Sequence, residues 1–309
     1  MFFDTLKIVA GQVLMLYLIS LIGFITDKVG LFRQADAKRV IDLLFHIVLP
    51  LTVVYTFVTM EYTRQHVRGI FLAFACAFAT HFVGILAGLL CFRRRSPMER
   101  GVYRYGILFS NASFLALPLA QAVIGKEGVF YCSVYVAVFN VMAFTYGIYE
   151  ISGHRAKIDF RRLVLNPGSI AVLIGLPLFF LQPQLPQVIL RPMEMVGNCN
   201  SPLAMIIFGT FLANADWKRM FAKKELYLCS ALRLVVIPLC MVGLFALCGV
   251  RGDLLIAMVI SSCAPTATNT AMYAAKYEND AALGSELAAQ SSLFSIVTMP
   301  VIVALAAVI

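Results

Sequence analysis

Charged residues are scarce in this sequence. Only 13% of the 309 residues are Asp, Glu, Lys or Arg, whereas about a quarter of the residues are charged in soluble domains. The sequence has one tryptophan, and it has no polar stretch long enough to form a separate soluble domain. So little charge cannot cover the surface of a water-soluble protein of this length, and that class of protein is therefore excluded.

Catalytic and metal-binding motifs are also missing. The sequence contains no HExxH, no GxSxG and no Walker-type glycine loop, and no acidic pair lies inside an apolar run at a spacing suited to acid–base catalysis. The eight cysteines show no CxxC spacing and are interpreted as small buried hydrophobic residues. We therefore expect no enzyme activity, no metal site and no cofactor.

Long apolar runs make up most of the chain, and 61% of its residues are hydrophobic. A helix that crosses a bilayer needs about 20 such residues. Charged residues separate ten runs of this kind, which predicts an all-α polytopic membrane protein with ten transmembrane helices. The predicted spans cover residues 6–26, 39–59, 68–91, 101–124, 128–150, 164–181, 189–214, 225–248, 252–275 and 282–308.

Lys and Arg are unevenly distributed between the two sets of loops. Seventeen lie on one side and six on the other, while Arg104 and Arg233 fall inside spans. Because loops rich in Lys and Arg stay in the cytoplasm, the pattern predicts a bacterial inner-membrane protein with both termini extracytoplasmic. These loops also explain the net charge of +9, so we expect a lipid bilayer rather than nucleic acid as the partner.

Landmarks of the first half recur in the second half, 151 or 152 residues later. The matched pairs are Pro50 and Pro202, Ser110 and Ser261, and Asn140 and Ser291. Each half has five spans, an odd number, so the second half begins on the opposite side of the membrane from the first. The second copy must therefore be inverted. We predict two inverted five-helix repeats, residues 1–153 and 164–309, joined by a short cytoplasmic linker, residues 154–163. This architecture is typical of secondary transporters, whose binding site lies near the midplane.

Spans 4 and 9 each carry a polar cluster and a proline in mid-membrane. Proline removes a backbone donor and clashes with the preceding turn, so each helix is expected to open there. Opened backbone is tolerated in lipid only where it lines a cavity, and two facing helix N-termini would attract a carboxylate. The predicted substrate-binding residues are Asn111, Ser113, Pro118, Asn140, Pro265, Thr266, Thr268 and Asn269. The alternative is a proline kink in which Ser and Thr bond to their own helix.

Residues 111–147, NASFLALPLAQAVIGKEGVFYCSVYVAVFNVMAFTYG, resemble the fourth and fifth spans of the auxin efflux carrier family. Residues 202–213 resemble the seventh span of that family, and residues 264–300 resemble its last two spans. The resemblance therefore covers essentially the whole chain in order.

This resemblance implies a bile-acid-symporter-like fold in which the broken helices 4 and 9 cross. Spans 1, 2, 6 and 7 would form a scaffold, and spans 3, 4, 5, 8, 9 and 10 would form the transport core. It also implies that Asn111 and the regions around Pro118 and Pro265 bind the carboxylate of the substrate. By analogy with other transporters that have a fixed scaffold, a homodimer is the assembly to consider.

Two features differ from the plant members of the family, the PIN-formed carriers. Those proteins often have a long cytoplasmic loop between spans 5 and 6, whereas a short linker suffices here. The chain thus resembles the bacterial members, for which malate- or malonate-like acids and auxin-like acids both stay open as substrates. The plant carriers also place an acidic and a basic residue in span 3, where this sequence has only His81 in the interior.

The coupling ion stays open between H+, Na+ and none, in which last case the membrane potential would drive transport. His81 could carry a proton, because an imidazole changes charge near neutral pH, or it could be a packing histidine. Glu286, Gln290 and Ser291 form an oxygen-rich cluster on span 10 that could coordinate sodium.

The main hypothesis is a secondary active transporter that carries a small organic anion by alternating access. The alternative is a membrane sensor that binds a ligand without transport.

Overall fold

The computed structural model describes residues 2–156 and 165–309. Residues 157–163 of the predicted linker, and residue 164 at the start of predicted span 6, lie outside the described residues. Within the described ranges the regular structure is helical, apart from one isolated antiparallel bridge between Ser110 and Thr266. Apolar runs form helices because backbone surrounded by lipid must satisfy its hydrogen bonds within the segment.

The first half consists of six helices. They are α1 (Phe2–Lys28), α2 (Gln34–Thr59), α3 (Arg64–Leu90), α4 (Pro97–Leu108), α5 (112–123) and α6 (126–151). α5 and α6 are separated by Ile124 and Gly125, whose backbone angles are not helical. Gly125 has φ 61° and ψ −136°, a conformation that glycine adopts without strain, and it therefore makes the sharp turn between the two helices.

The second half repeats this order. Its helices are α7 (Pro167–Leu181), α8 (Gln187–Ala213), α9 (Lys224–Leu247), α10 (Gly252–Cys263), α11 (Asn269–Lys276) and α12 (Ala281–Ala306). Among the described residues, seven helical stretches are long and apolar enough to cross a membrane, and α7 and α10 are shorter apolar helices. The protein is therefore an all-helical polytopic membrane protein.

Wide π-helical turns lie two residues before Pro50, Pro118 and Pro238. A proline ring clashes with the carbonyl group four residues earlier and lacks an N–H group, and a wider turn accommodates both effects. Pro118 therefore lies inside a continuous helix. The chain opens at residues 109–111 instead, which differs from the expectation that the proline itself marks the break.

Two sets of helices contact each other through α1 with α12 and through α6 with α7. The flanking group consists of α1, α2, α7 and α8, in which α1 packs along α8 and α2 packs along α7 and α8. α1 and α8 approach closely at Gly209, because glycine has no side chain. A Cβ atom there would lie 1.9 Å from the carbonyl oxygen of Ser20. The crossing group consists of the other eight helices, where α10 packs against α6, α9 and α12, and α3 packs against α6. The candidate site lies between these groups.

Candidate functional site

The extended segments that follow α4 and α10 cross each other in antiparallel orientation. The amide of Asn111 donates to the carbonyl oxygen of Pro265 at 2.7 Å, and the amide of Ala267 donates to that of Phe109 at 2.9 Å. Asn111 and Ala267 are 156 residues apart, and so are Phe109 and Pro265. These two hydrogen bonds flank the antiparallel bridge between Ser110 and Thr266, and every antiparallel bridge spaces its two flanking hydrogen bonds equally in this way.

Arg233 of α9 binds the carbonyl ends of both α4 and α10. Its guanidinium donates to the carbonyl oxygens of Ser262 at 2.7 Å, Ala264 at 3.0 Å, Ile107 at 3.2 Å and Leu108 at 3.3 Å. The side chain is only 1% exposed. Each helix C-terminus carries about −0.5 elementary charge, so two such ends offset one buried positive charge. Arg233 was not among the predicted site residues, although its position inside a span marks it as a candidate.

A cavity of about 290 Å³ lies on one side of the crossing. Its inner end is formed by residues 110–114 and 267–269, and its mouth by the exposed side chains of Asp42 and His46. Aromatic and apolar walls are contributed by Phe45, Phe114, Phe139, Phe144, Met272 and Tyr273. The described residues that line this cavity include no Lys and no Arg. An anion bound at the inner end would have to be held by neutral groups.

α5 and α11 both begin at this cavity. Asn111 and Thr268 are of residue types that normally cap a helix, yet neither side chain bonds to the helix that follows it. Asn111 is 3% exposed, and its Nδ2 atom has no hydrogen-bond partner among the described residues. The first-turn amides of a helix lack intrahelical partners and carry the positive end of its dipole. The two N-termini therefore offer N–H donors and positive potential to a ligand.

The predicted substrate-binding residues divide between the cavity and the packed interior. Those that line the cavity are Asn111, Ser113, Asn140, Thr268 and Asn269. Pro118 is buried within α5, and Pro265 contributes its carbonyl group to the crossing. Thr266 is fully buried, and its hydroxyl donates to the carbonyl oxygen of Gly106 at 2.9 Å. These three residues maintain the shape of the site rather than line it.

The predicted oxygen-rich cluster on α12 is occupied by contacts within the protein. Glu286 forms an ion pair of 2.8 Å with Lys223. Gln290 accepts a hydrogen bond from Ser230 at 2.8 Å, and Ser291 accepts one from the amide of Thr266 at 3.1 Å. In the described part of the chain, His, Cys, Asp and Glu form no group of three or more that could hold a metal ion.

The cavity lies on one side of the crossing, and buried aromatic rings lie on the other side. The lining residues come from the first half of α2, the second half of α6 and the last turn of α8, which is the side of the loops with seventeen Lys and Arg residues. On the other side, the rings of Phe57, Phe130 and Phe179 are buried, with centroid distances of 4.8 Å and 5.3 Å along the row. The flanking group and the crossing group are therefore in contact there.

A family model described as membrane transport protein matches residues 8–303. The chain belongs to this family, the auxin efflux carriers. An uncharacterized transporter of Methanocaldococcus jannaschii is 24% identical over 277 residues, which are 87% of this chain and 89% of that protein. An uncharacterized transporter of Methanothermobacter thermautotrophicus is 24% identical over 296 residues, which are 93% of this chain and 95% of that protein. The resemblance of residues 111–147, 202–213 and 264–300 to the auxin efflux carrier family is thus confirmed. The protein is a multi-pass membrane protein of a transporter family.

Proposed function

We propose that this auxin efflux carrier family member is a secondary active transporter that carries a small organic anion by alternating access. The observation behind the proposal is the meeting of two helix N-termini at the inner end of the cavity, with Asn111 and Thr268 bonded to neither helix. A carboxylate suits this place because it accepts several N–H hydrogen bonds and is attracted by both dipole ends. A cation would be repelled by them.

The proposed topology has ten spans in two inverted repeats. α4 and α5 together form one interrupted span, and α10 and α11 form its counterpart. An inverted repeat has a two-fold axis in the membrane plane, and such an axis would pass through the place where the two interrupted spans cross, at Ser110 and Thr266. The flanking group is then the scaffold, and the crossing group is the transport core.

The proposed orientation places the cavity mouth in the cytoplasm. Loops rich in Lys and Arg are cytoplasmic, and the cavity lies on the side of those loops. Both termini are then extracytoplasmic, in a bacterial inner membrane. The packed rings of Phe57, Phe130 and Phe179 close the outer side, which corresponds to an inward-facing state. Movement of the core past the scaffold would separate these rings and open the outer side.

The cavity volume restricts the substrate to small molecules. Ligand pockets commonly measure about 300–1,000 Å³, and this cavity, at about 290 Å³, lies just below that range. Its polar groups are concentrated at the inner end and its walls are aromatic and apolar. Both a short dicarboxylate and an auxin-like monocarboxylate are therefore suitable probes.

The test measures exchange of labelled malonate, malate and indole-3-acetate in proteoliposomes, with protein-free liposomes as background. The wild-type protein is expected to exchange at least one probe. Asn111→Ala removes the unpartnered amide and should slow exchange about tenfold, the equivalent of about 1.4 kcal/mol of lost binding. The matched control is Asn198→Ala, because Asn198 is exposed on α8 and does not line the cavity. Saturable binding without exchange would support a sensor, and folded protein that neither binds nor exchanges any probe would contradict the proposal.

A further inference from the structure

His81 of α3 is fully buried beside the crossing and has one unsatisfied ring nitrogen. Its Nδ1 atom lies 2.7 Å from the carbonyl oxygen of Ala77. A carbonyl oxygen only accepts hydrogen bonds, so the proton of the neutral imidazole is on Nδ1, and Nε2 presents a lone pair. Nε2 has no hydrogen-bond partner among the described residues. It is therefore a buried acceptor that can take a proton.

Two buried hydroxyls lie between His81 and the cavity. The Tyr135 ring lies 5.3 Å from the imidazole, and its hydroxyl interacts with the side chains of Ser110 and Arg233. Ser110 in turn lines the cavity. Because buried polar groups in native proteins are nearly always paired, the unpaired Nε2 of His81 at the end of this polar row indicates a functional connection between the cavity and His81.

The charges around His81 connect its protonation to anion binding. Of the described residues, the ionisable side chains that face His81 are Tyr135 of α6 and Arg233 of α9, and Phe109 and Phe139 are its other ring contacts. The charge of Arg233 is already offset by the ends of α4 and α10. A proton on His81 would add a buried positive charge without a counter-charge, which is unfavourable unless an anion is near. A carboxylate at Asn111 would supply that anion.

Sodium is disfavoured by the same geometry. The most negative place in the crossing is between the carbonyl ends of α4 and α10, and the guanidinium of Arg233 fills it. The carboxylate of Glu286 is paired with Lys223. The side-chain oxygen atoms of the predicted cluster on α12, those of Glu286, Gln290 and Ser291, are thus already bonded to protein groups.

We propose that the coupling ion is a proton and that Nε2 of His81 is its binding site. This inference rests on the proposed carrier function and specifies its energy source. The proton reaches Nε2 from the cavity through the hydroxyls of Ser110 and Tyr135, forms an N–H bond there and leaves by the same route after the carboxylate is released. Binding of the carboxylate and binding of the proton favour each other, as linkage requires.

The test uses proteoliposomes with labelled malonate or indole-3-acetate, a membrane potential held at zero with potassium and valinomycin, and an outside pH one unit below the inside pH. One coupled proton per anion predicts about tenfold accumulation, since one pH unit is equivalent to a tenfold ratio. Protein-free liposomes give the background from passive permeation. His81→Gln should still exchange the probe at equal pH, more slowly because no bound proton favours the carboxylate, but should accumulate it to a ratio of about one. The matched control, His154→Gln, changes an exposed histidine outside the spans and should keep the tenfold ratio.

Each outcome of this experiment decides a different claim. Tenfold accumulation by His81→Gln, or accumulation driven by a sodium gradient at equal pH, would overturn the proton site and leave the carrier function intact. Absence of exchange of both probes by the wild-type protein would overturn the proposed function and this inference with it. If His81→Gln does not fold, Tyr135→Phe replaces it. That variant keeps the ring, and it should retain exchange at equal pH while losing most of the pH-driven uptake.

Discussion

Arg233 donates from its guanidinium to the carbonyl oxygen of Ser262 at 2.7 Å, at the end of α10. The same guanidinium reaches the carbonyl end of α4 through Ile107 and Leu108. One side chain from a third helix, α9, therefore joins two helices that end inside the protein. The helix ends in turn supply the negative potential that makes a fully buried arginine tolerable.

Arg233→Met should strongly destabilise the protein. The substitution leaves four carbonyl groups without their donor and removes the positive charge that offsets two helix ends, for which we expect a loss of about 3–5 kcal/mol. The Tm is measured on the detergent-purified protein as the temperature at which heating removes half of the folded peak in gel filtration. Arg191→Met is the matched control, because that side chain is 70% exposed and its removal should change stability by less than about 0.5 kcal/mol. Equal Tm values for the two variants would show that Arg233 does not hold the crossing together.

The sequence predicted the all-helical character, but it predicted ten spans, whereas seven stretches of the described residues are long and apolar enough to cross a membrane, and the break positions also differ. Predicted span 7, residues 189–214, agrees closely with Gln187–Ala213, because apolar length decides where a helix can cross lipid. Pro118 was expected to mark the break in span 4, but a π-helical turn accommodates it, and the chain opens at residues 109–111. The position of the break depends on partners from other helices, Pro265 and Arg233 among them, which no local pattern indicates.

The equivalence of the two halves stays a prediction. Matching small polar residues pairs Ser110 with Ser261, 151 residues apart, whereas the residue that Ser110 meets at the crossing is Thr266. Which residues meet at the crossing depends on how the two segments lie in space, and a comparison of sequence landmarks does not indicate this.

Gly209→Ala should destabilise the contact between α1 and α8. The new Cβ atom would lie 1.9 Å from the backbone oxygen of Ser20, and backbone cannot rotate away, so the helices must separate at a cost of about 1–3 kcal/mol. Gly243→Ala is the control, because a Cβ atom there meets nothing within 4 Å and alanine favours the helix. The Tm should fall for the first variant and stay or rise for the second. A lower Tm for Gly243→Ala alone would contradict the packing argument.

The ion pair between Lys223 and Glu286 should respond asymmetrically to removal of either partner. Glu286 is 3% exposed and Lys223 is 40% exposed at their side chains. Lys223→Met leaves a buried carboxylate unpaired, with an expected loss of about 3 kcal/mol, whereas Glu286→Gln leaves a lysine that can turn to water, with a loss of about 1 kcal/mol. Thermal unfolding of the two variants measures the difference. The reverse order of stability would mean that the carboxylate has another partner or reaches solvent.

Cys248 provides a test of orientation with a native residue. It lies exposed at the end of α9, on the side with few Lys and Arg residues. If that side is extracytoplasmic, a membrane-impermeant maleimide should label Cys248 in right-side-out vesicles and not in inverted ones. Cys248→Ser should remove this labelling and identify any signal from Cys199 or Cys240, which are also exposed. Labelling confined to inverted vesicles would reverse the orientation and, with it, the inward-facing interpretation.

Asn111→Asp should separate stability from transport. The substitution places a carboxylate at the N-terminus of α5, where the side chain lines the cavity and helix amides are available. A carboxylate at a helix N-terminus stabilises it by about 0.3–1 kcal/mol, so the Tm should stay at or above the wild-type value. Anion exchange should nevertheless be lost, because the new side chain occupies the positive site and repels the substrate carboxylate.

The control for this variant is another carboxylate at a helix N-terminus that is remote from the cavity. Ser96 caps α4 at the surface and accepts a hydrogen bond from the amide of Glu99 at 3.3 Å. Ser96→Asp preserves that cap and should exchange anions at the wild-type rate. A stable Asn111→Asp protein that still exchanges anions normally would show that the carboxylate does not bind at the crossing. Such a result would move the binding site away from the two helix N-termini, whereas loss of exchange with retained Tm would place the substrate carboxylate between them.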